Sequence, residues 1–145
     1  MKGAYVLLLN SPGLDILVGS LGRVSIPRGL ICYIGSAKGP GGLKARIMRH
    51  FRRDKVRKWH IDYLTANPEI KTLGALAVVG GDESALVKLV SELGEPLIPG
   101  FGCSDRKQDL THLFLLRVEI SRLESELSKM GKLIKFLPNG DSPST

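Results

Sequence analysis

The chain contains few cysteines and no long apolar run. Its two cysteines, Cys32 and Cys103, are too few and too far apart for a disulfide framework or for a zinc site with four cysteine ligands. The apolar residues 5–9 end at the turn-forming residues 10–13, so this segment is typical of a strand and a turn rather than of a signal peptide or a membrane span. We therefore expect a cytoplasmic protein with reduced cysteines and no membrane partner.

The length and the order of the sequence patterns predict one α+β domain. With 145 residues the chain is long enough to bury a core, and it contains no internal repeat. Apolar and β-branched runs predict strands at 3–10, 14–19, 23–26, 30–35, 70–79 and 111–116, and helical periodicity predicts helices at 43–53, 58–64 and 83–93. We therefore predict a small antiparallel or mixed β-sheet flanked by helices, with turns at 11–13 and 27–29 and an irregular loop at 95–109.

Residues 118–137 show a different pattern. Their apolar positions alternate spacings of three and four, which predicts a C-terminal helical extension to a domain at 1–117. This apolar stripe either packs on its own domain or forms the seam of a homodimer. The last residues, 138–145, are polar or turn-forming and are expected to be a disordered tail.

The positive charge is concentrated in one segment. Residues 44–58 contain eight lysines or arginines and one acidic residue, Asp54, whereas the rest of the chain contains 13 basic and 13 acidic residues. The net charge of +7 therefore comes from this segment alone. A local basic patch is typical of a protein that binds a polyphosphate backbone, and it is also compatible with a solvated helix face.

The basic segment follows a strand and a glycine-rich loop at residues 35–42. On the predicted helix, Leu43 and Ile47 belong to an apolar stripe, and Arg46 and His50 lie on the neighbouring face. One face is thus expected to pack on the domain, while the other is available for an anion.

Two tripeptides carry a resemblance to a known family. Gly-Ala-Tyr at residues 3–5 and Tyr-Ile-Gly at residues 33–35 resemble the two signature tripeptides of the GIY-YIG nuclease superfamily. Members of this superfamily carry an arginine on the helix after the second tripeptide, often a histidine four residues later, and a glutamate further on. Arg46, His50 and Glu83 occupy these places.

A narrower resemblance covers about residues 3–116. The motif Trp-His-Ile-Asp-Tyr at 59–63 and the inserted hairpin between the tripeptides are similar to a mainly archaeal and bacterial branch of the superfamily. Many members also carry a late asparagine that steadies the site, but no asparagine lies between Asn67 and Asn139 in this chain. Ser104 or Asp105 is the expected substitute.

The resemblance implies an endonuclease that cleaves phosphodiester bonds with one divalent ion, Mg²⁺ or Mn²⁺. Glu83 would hold the metal through a carboxylate oxygen, and Arg46 would bind the scissile phosphate. Tyr5 or Tyr33 would orient or deprotonate the attacking water, while His50 would relay a proton or contact the phosphate.

The resemblance and the charge pattern together extend the candidate site. His60 resembles a second histidine found in some branches and is a further catalytic candidate, and Gly35 and His112 are supporting candidates. The residues expected to contact nucleic acid, with DNA favoured over RNA, are Lys38, Lys44, Arg49, Arg52, Arg53, Arg57 and Lys58.

Two other functions remain open from the sequence. The missing asparagine is compatible with a catalytically inactive nucleic-acid-binding module on the same scaffold. The stripe at 118–137 is compatible with a dimeric adaptor that recruits a DNA-processing enzyme.

Overall fold

The computed structural model describes residues 1–103 and 110–138. In chain order its elements are β1 (Gly3–Leu17), a short 3-10 helix (Gly19–Leu21), β2 (Arg23–Ala37), α1 (Gly42–Phe51), α2 (Asp62–Thr65), β3 (Lys71–Val79), α3 (Glu83–Leu93), β4 (Gly94–Leu97), β5 (Leu113–Leu116), α4 (Ile120–Ser128) and β6 (Lys132–Phe136). The strands form one antiparallel sheet in the order β4-β5-β2-β1-β3-β6. The predicted α+β class, with an antiparallel sheet flanked by helices, is confirmed. Within the described ranges, no helix is both long and apolar enough to cross a membrane.

The central strand β1 explains why the first apolar run has no polar alternation. Tyr5 and Leu7 face one side of the sheet, where they share a core with Leu43 of α1. Val6 faces the other side and shares a second core with Leu86 of α3. Because helices cover both faces, each face of β1 is apolar. This arrangement places Tyr5 on the same side of the sheet as the basic helix α1.

Strands β1 and β2 form one long hairpin, whereas four short strands were expected. The two strands pair along their full length, and the chain reverses only at 18–22. The predicted turns at 11–13 and 27–29 are therefore wrong. Gly13 (φ +85°) and Gly29 (φ +135°) adopt backbone conformations that favour glycine, and the strands keep one register on both sides of them.

The C-terminal region is only partly helical. Helix α4 is present, but the prediction of helix beyond it is wrong, because β6 pairs with β3 at the edge of the main sheet. Gly131 separates the two elements, and Ile134 and Phe136, two residues apart, point into the same core from β6. Residues 118–137 thus contribute both a helix and a strand to the domain.

The apolar stripe of α4 packs on its own domain, as one of the two sequence interpretations predicts. Leu123 and Leu127 are fully buried in the core on the α3 side of the sheet. A homodimer through this helix stays a prediction, and these two side chains would not be available to its interface. The predicted disordered tail lies outside the described residues from 139 onward.

Two further segments differ from the expectation. The helix predicted at 58–64 is reduced to α2, because the carboxylate of Asp62 accepts hydrogen bonds from the backbone N–H groups of Lys58 and Trp59 and closes a turn before the helix. The loop predicted at 95–109 contains most of β4, which pairs with β5. Residues 104–109 lie outside the described residues, and so do the predicted supporting residues Ser104 and Asp105.

Candidate active site

The structure brings most of the predicted site residues together in one open cleft. The cleft has a volume of about 470 Å³ and lies on the α1 side of the sheet. Its predicted members come from β1, β2, α1, α3 and the connecting segments, and they are Tyr5, Tyr33, Gly35, Lys38, Arg46, His50, Lys58, His60, Glu83 and His112. Lys38, Arg46 and Lys58 contribute three positive charges to this lining and Glu83 contributes one negative charge, so the cleft is positively charged.

Tyr5 and His50 form a buried pair at the cleft. The Tyr5 hydroxyl lies 2.6 Å from Nε2 of His50, and each residue is only 1% exposed. Burial raises the pKa of Tyr5 well above its usual value, with a further increase from Tyr33, while the guanidinium of Arg46 acts in the opposite direction. Burial lowers the pKa of His50 to about 3, so the imidazole is neutral near pH 7. Both partners are therefore held in their uncharged forms.

The second nitrogen of His50 is an exception to the usual pairing of buried polar atoms. Nδ1 is buried and has no hydrogen-bond partner among the described residues. Either tautomer of the ring leaves this nitrogen unpaired, so the Tyr5 contact is the polar interaction that orients the imidazole.

Tyr33 lies beside this pair and is more accessible. It is 9% exposed, and its ring meets the imidazole of His50 edge-on, with centroids 6.0 Å apart. Burial raises the pKa of Tyr33, the carboxylate of Glu83 raises it further, and Arg46 lowers it. Of the two tyrosines, Tyr33 is thus the one that more readily reaches a molecule in the cleft.

Gly35 is required by the close approach of the Tyr5 ring. A Cβ atom at Gly35 would lie 2.4 Å from the Tyr5 hydroxyl oxygen and 2.5 Å from the ring carbon that carries it. These distances are shorter than any tolerated contact, and the tyrosine cannot simply swing away because His50 holds its hydroxyl. The glycine of the second tripeptide therefore makes room for the tyrosine of the first.

Replacing Gly35 with alanine is expected to destabilise the protein by about 1–3 kcal/mol, the usual cost of overpacking a core. Gly39→Ala is the matched control, because a Cβ there meets no atom within 4 Å. Its effect should stay within about 0.5 kcal/mol. Urea unfolding of the two variants measures the difference, and equal midpoints would contradict the steric role of Gly35.

His60 lines the same cleft and has a fixed hydrogen-bonding pattern. The backbone N–H of Gly102 donates to Nδ1 of His60 over 2.9 Å, and burial lowers the pKa of the imidazole. Because Nδ1 accepts this bond, the proton of the neutral ring is on Nε2. His60 is thus arranged to donate a hydrogen bond to a bound group, and accepting a proton would require loss of the Gly102 contact.

Glu83 approaches the cleft from the first turn of α3. Its carboxylate oxygen lies 3.6 Å from Nδ1 of His112, whose side chain is 2% exposed. The described residues contain no group of three or more histidine, cysteine, aspartate or glutamate side chains that could hold a metal ion. A single carboxylate in an open cleft fits Mg²⁺ or Mn²⁺, since such ions keep several waters and use one or two carboxylates together with substrate phosphate oxygens.

Two of the predicted nucleic-acid contacts, Arg49 and Arg53, are hydrogen-bonded to other groups of the protein. The guanidinium of Arg49 binds both carboxylate oxygens of Asp62, at 2.8 and 2.9 Å. Arg53 donates to the backbone carbonyls of Asn67 and Ile70. Their role in nucleic-acid binding stays a prediction, and the structure gives both a role in holding the segment after α1.

The other predicted basic contacts are exposed, and two of them line the cleft. Lys38 and Lys58 line it and are exposed, so they are available to a bound polyanion. Three more side chains are exposed outside the cleft lining: Lys44, Arg52 and Arg57. Lys55, in contrast, donates to the carbonyls of Arg49 and His50 at the end of α1, and burial lowers its pKa to about 8.

The site includes four residues that the sequence interpretation did not assign to it. Ser36 and Trp59 line the cleft, Gly102 binds His60, and Asp62 holds Arg49. Their position inside the 59–63 motif could have suggested Trp59 and Asp62. Nothing in the sequence pairs Gly102 with His60, because 42 residues separate them.

The first residues of α1, which follow the exposed glycine-rich loop, are packed against the start of the chain. The N–H of Leu43 donates to the carbonyl of Met1 over 2.7 Å, and a Cβ at Gly42 would lie 2.1 Å from that same oxygen. The start of α1 therefore binds the N-terminal residues of the chain, and the side chains of α1, rather than its first N–H groups, face the cleft.

Comparisons with known proteins identify the family. No curated protein and no solved structure matched the chain. A family model described as a domain of unknown function, DUF123, matches residues 4–135. The match extends from β1 into β6 and includes every residue that lines the cleft. The chain therefore belongs to the DUF123 family.

Proposed function

We propose that this protein is an endonuclease that hydrolyses phosphodiester bonds in nucleic acid with one divalent metal ion, and that DNA is preferred over RNA. One observation supports the proposal above all others. Tyr5, Tyr33, Arg46 and Glu83, which are far apart in the sequence, line the same positively charged cleft. They are the groups that the resemblance to the GIY-YIG nuclease superfamily assigns to the reaction.

Arg46 supplies the cation that a phosphodiester requires. Negative charge on the phosphoryl oxygens grows as the nucleophile adds, so a fixed donor in the cleft stabilises the transition state more than the ground state. The side chain of Arg46 is half-buried, and Nη1 donates to the carbonyl of Ser36 over 3.2 Å. This contact orients the guanidinium and leaves further N–H groups for a phosphate.

The two tyrosines have different roles in the proposed reaction. Tyr33, the more exposed one, orients the attacking water. As the oxygen of this water bonds to phosphorus and the bond to the leaving oxygen breaks, the proton that the water releases passes to Tyr5 while the Tyr5 hydroxyl proton passes to Nε2 of His50, and the leaving oxygen takes up a proton from a solvent water. Burial disfavours the resulting imidazolium, and the negative charge of a phosphate in the cleft would favour it.

Glu83 is the residue that would hold Mg²⁺ or Mn²⁺. When bound, the ion supplies positive charge to the phosphoryl oxygens and lowers the pKa of a bound water. His112 lies beside the carboxylate and is placed to orient it.

The basic surface supports a polymeric substrate. A small phosphodiester would need only the cleft, yet Lys44, Arg52 and Arg57 remain exposed beyond it. Lysines and arginines that contact successive phosphates raise affinity for a nucleic acid and make it depend on salt. We therefore expect binding to weaken steeply as the salt concentration increases.

Cleavage assays with matched substrates test the proposal. Single-stranded, duplex and branched DNA, and RNA of the same sequences, are incubated with the wild-type protein and Mg²⁺ or Mn²⁺. We expect cleavage of at least one DNA substrate, its loss in EDTA, and a decrease of ~100-fold or more in the Glu83→Gln variant, which keeps the shape of the side chain.

Two results would count against the proposed enzymatic activity. Absence of any cleavage that depends on Glu83 would exclude the proposed reaction. Salt-sensitive binding of the same substrates by wild type and Glu83→Gln, without product, would instead support a nucleic-acid-binding module.

A further inference from the structure

One aromatic side chain on the cleft wall contacts two guanidinium groups. Trp59 is the sole tryptophan of the chain. The guanidinium carbon of Arg46 lies 4.5 Å from the centroid of its ring, and that of Arg49 lies 4.2 Å away. Both distances are well within the range of a cation–π interaction. The two arginines lie three residues apart on α1, and the indole ring links their side chains.

Arg49 is in turn held by a buried carboxylate. Asp62 is 0% exposed and accepts two hydrogen bonds from the guanidinium of Arg49, at 2.8 and 2.9 Å. It also accepts hydrogen bonds from the backbone N–H groups of Lys58 and Trp59, at 2.8 and 2.9 Å. One carboxylate therefore fixes both the second arginine and the backbone that carries the indole ring.

This arrangement has an electrostatic consequence for the cleft. Two guanidinium groups on one ring repel each other, but the carboxylate of Asp62 neutralises Arg49. The burial of Asp62 raises the pKa of its carboxyl group, but the bonds from Arg49, Trp59 and Lys58 outweigh this effect and lower it, so the group is ionised. Arg46 is thereby left as the guanidinium at the ring that Asp62 does not pair, and the ammonium nitrogen of Lys58 lies 5.2 Å from the same ring centroid.

We propose that Trp59, Arg49 and Asp62 are positioning residues that hold the guanidinium of Arg46 in the cleft in a fixed orientation. The consequence for cleavage depends on the proposed endonuclease function, whereas the positioning itself does not. The carbonyl of Ser36 and the hydroxyl of Tyr5 also contact the guanidinium of Arg46, and the ring of Trp59 adds a contact on the face of the group that limits its rotation. A misplacement of about 1 Å in such a group can lower a reaction rate ~100-fold.

The fluorescence of Trp59 tests the positioning without any substrate. Because there is one tryptophan, its emission reports this site alone. In Asp62→Asn the carboxylate charge is lost, so Arg49 should leave the ring, and the quenching constant for acrylamide, a neutral quencher, should increase about twofold or more. Far-ultraviolet circular dichroism confirms that the variant is folded. An unchanged quenching constant in the folded variant would overturn the proposal.

Activity measurements test the consequence for Arg46. We expect Trp59→Leu to lower kcat at least ~10-fold with little change in KM, and Trp59→Phe to restore most of it, because phenylalanine keeps a ring for the guanidinium. Tyr63→Leu is the matched control, since Tyr63 contacts Arg57 at 5.7 Å and does not line the cleft. A folded Trp59→Leu protein with wild-type kcat would contradict positioning by the ring.

The two proposals can fail separately. If the wild-type protein cleaves no substrate, the anisotropy of a fluorescent single-stranded oligodeoxynucleotide replaces kcat as the readout. Weaker binding by Trp59→Leu and Arg46→Ala, but not by Tyr63→Leu, would then support the positioning role while excluding the nuclease. Equal binding by all three variants would overturn the positioning role as well.

Discussion

Replacing Arg46 with alanine is expected to lower the rate of phosphodiester cleavage by about 100- to 1,000-fold, the usual effect of removing one donor to a developing anion. Arg46 is the arginine that the cleft presents to a ligand, since Arg49 is paired with Asp62. The loss should appear mainly in kcat, because the charge that Arg46 stabilises grows in the transition state. Single-turnover cleavage at saturating enzyme measures this directly.

Two variants control for the loss of charge alone. Arg46→Lys keeps the charge but not the planar fork of donors, so we expect it to remain at least ~10-fold below wild type. Arg122→Ala removes a 61% exposed arginine from α4, which packs against the opposite face of the sheet, and it should cleave at the wild-type rate. Equal activity of Arg46→Ala and Arg122→Ala would show that Arg46 does not contact the reacting phosphate.

Acidification is expected to destabilise the protein through His50. Burial lowers the folded-state pKa of His50 from 6.5 to about 3, so below pH 6.5 the unfolded chain takes up a proton that the folded protein excludes. This cost is absent above pH 6.5 and grows as the pH decreases towards 3. At about 1.4 kcal/mol per pH unit, it reaches roughly 3 kcal/mol at pH 4.

The His50→Gln variant isolates this contribution. Glutamine does not titrate and can still hydrogen-bond to the hydroxyl of Tyr5. Between pH 7 and pH 4, urea unfolding should therefore show a decrease in the free energy of unfolding that is roughly 3 kcal/mol larger for wild type than for His50→Gln. If the free energy of unfolding changed with pH in the same way for the two proteins, His50 would be protonated in the folded state without destabilising it, which would contradict its burial.

The sequence predicted the centre of the fold and the members of the cleft for identifiable reasons. An uninterrupted apolar run such as 5–9 requires a strand covered on both faces, and β1 is such a strand. The order of Tyr5, Tyr33, Arg46 and Glu83 follows the pattern of the resembled superfamily, and the structure places all four at one cleft. Their catalytic roles stay predictions.

Other features could not be predicted because short-range patterns are ambiguous. In the C-terminal region, Ile134 and Leu137 fit a helical stripe only when Gly131 is ignored, and β3, the partner that makes residues 132–136 a strand, lies more than 50 residues earlier. At residues 11–13, proline and glycine suggest a turn, but pairing along the full length of β1 and β2 keeps the strands together.

The sequence alone determined the chemistry that this protein can use: a concentrated basic segment, two tyrosines beside glycines, and a glutamate at the start of a helix. Only the tertiary structure decided which of these groups meet and in what state. Burial keeps Tyr5 and His50 neutral, and Asp62 withdraws Arg49 from the cleft while Arg46 remains in it. The physical reason is that pKa values and ion pairs depend on distance and desolvation, which the order of residues along a chain does not specify.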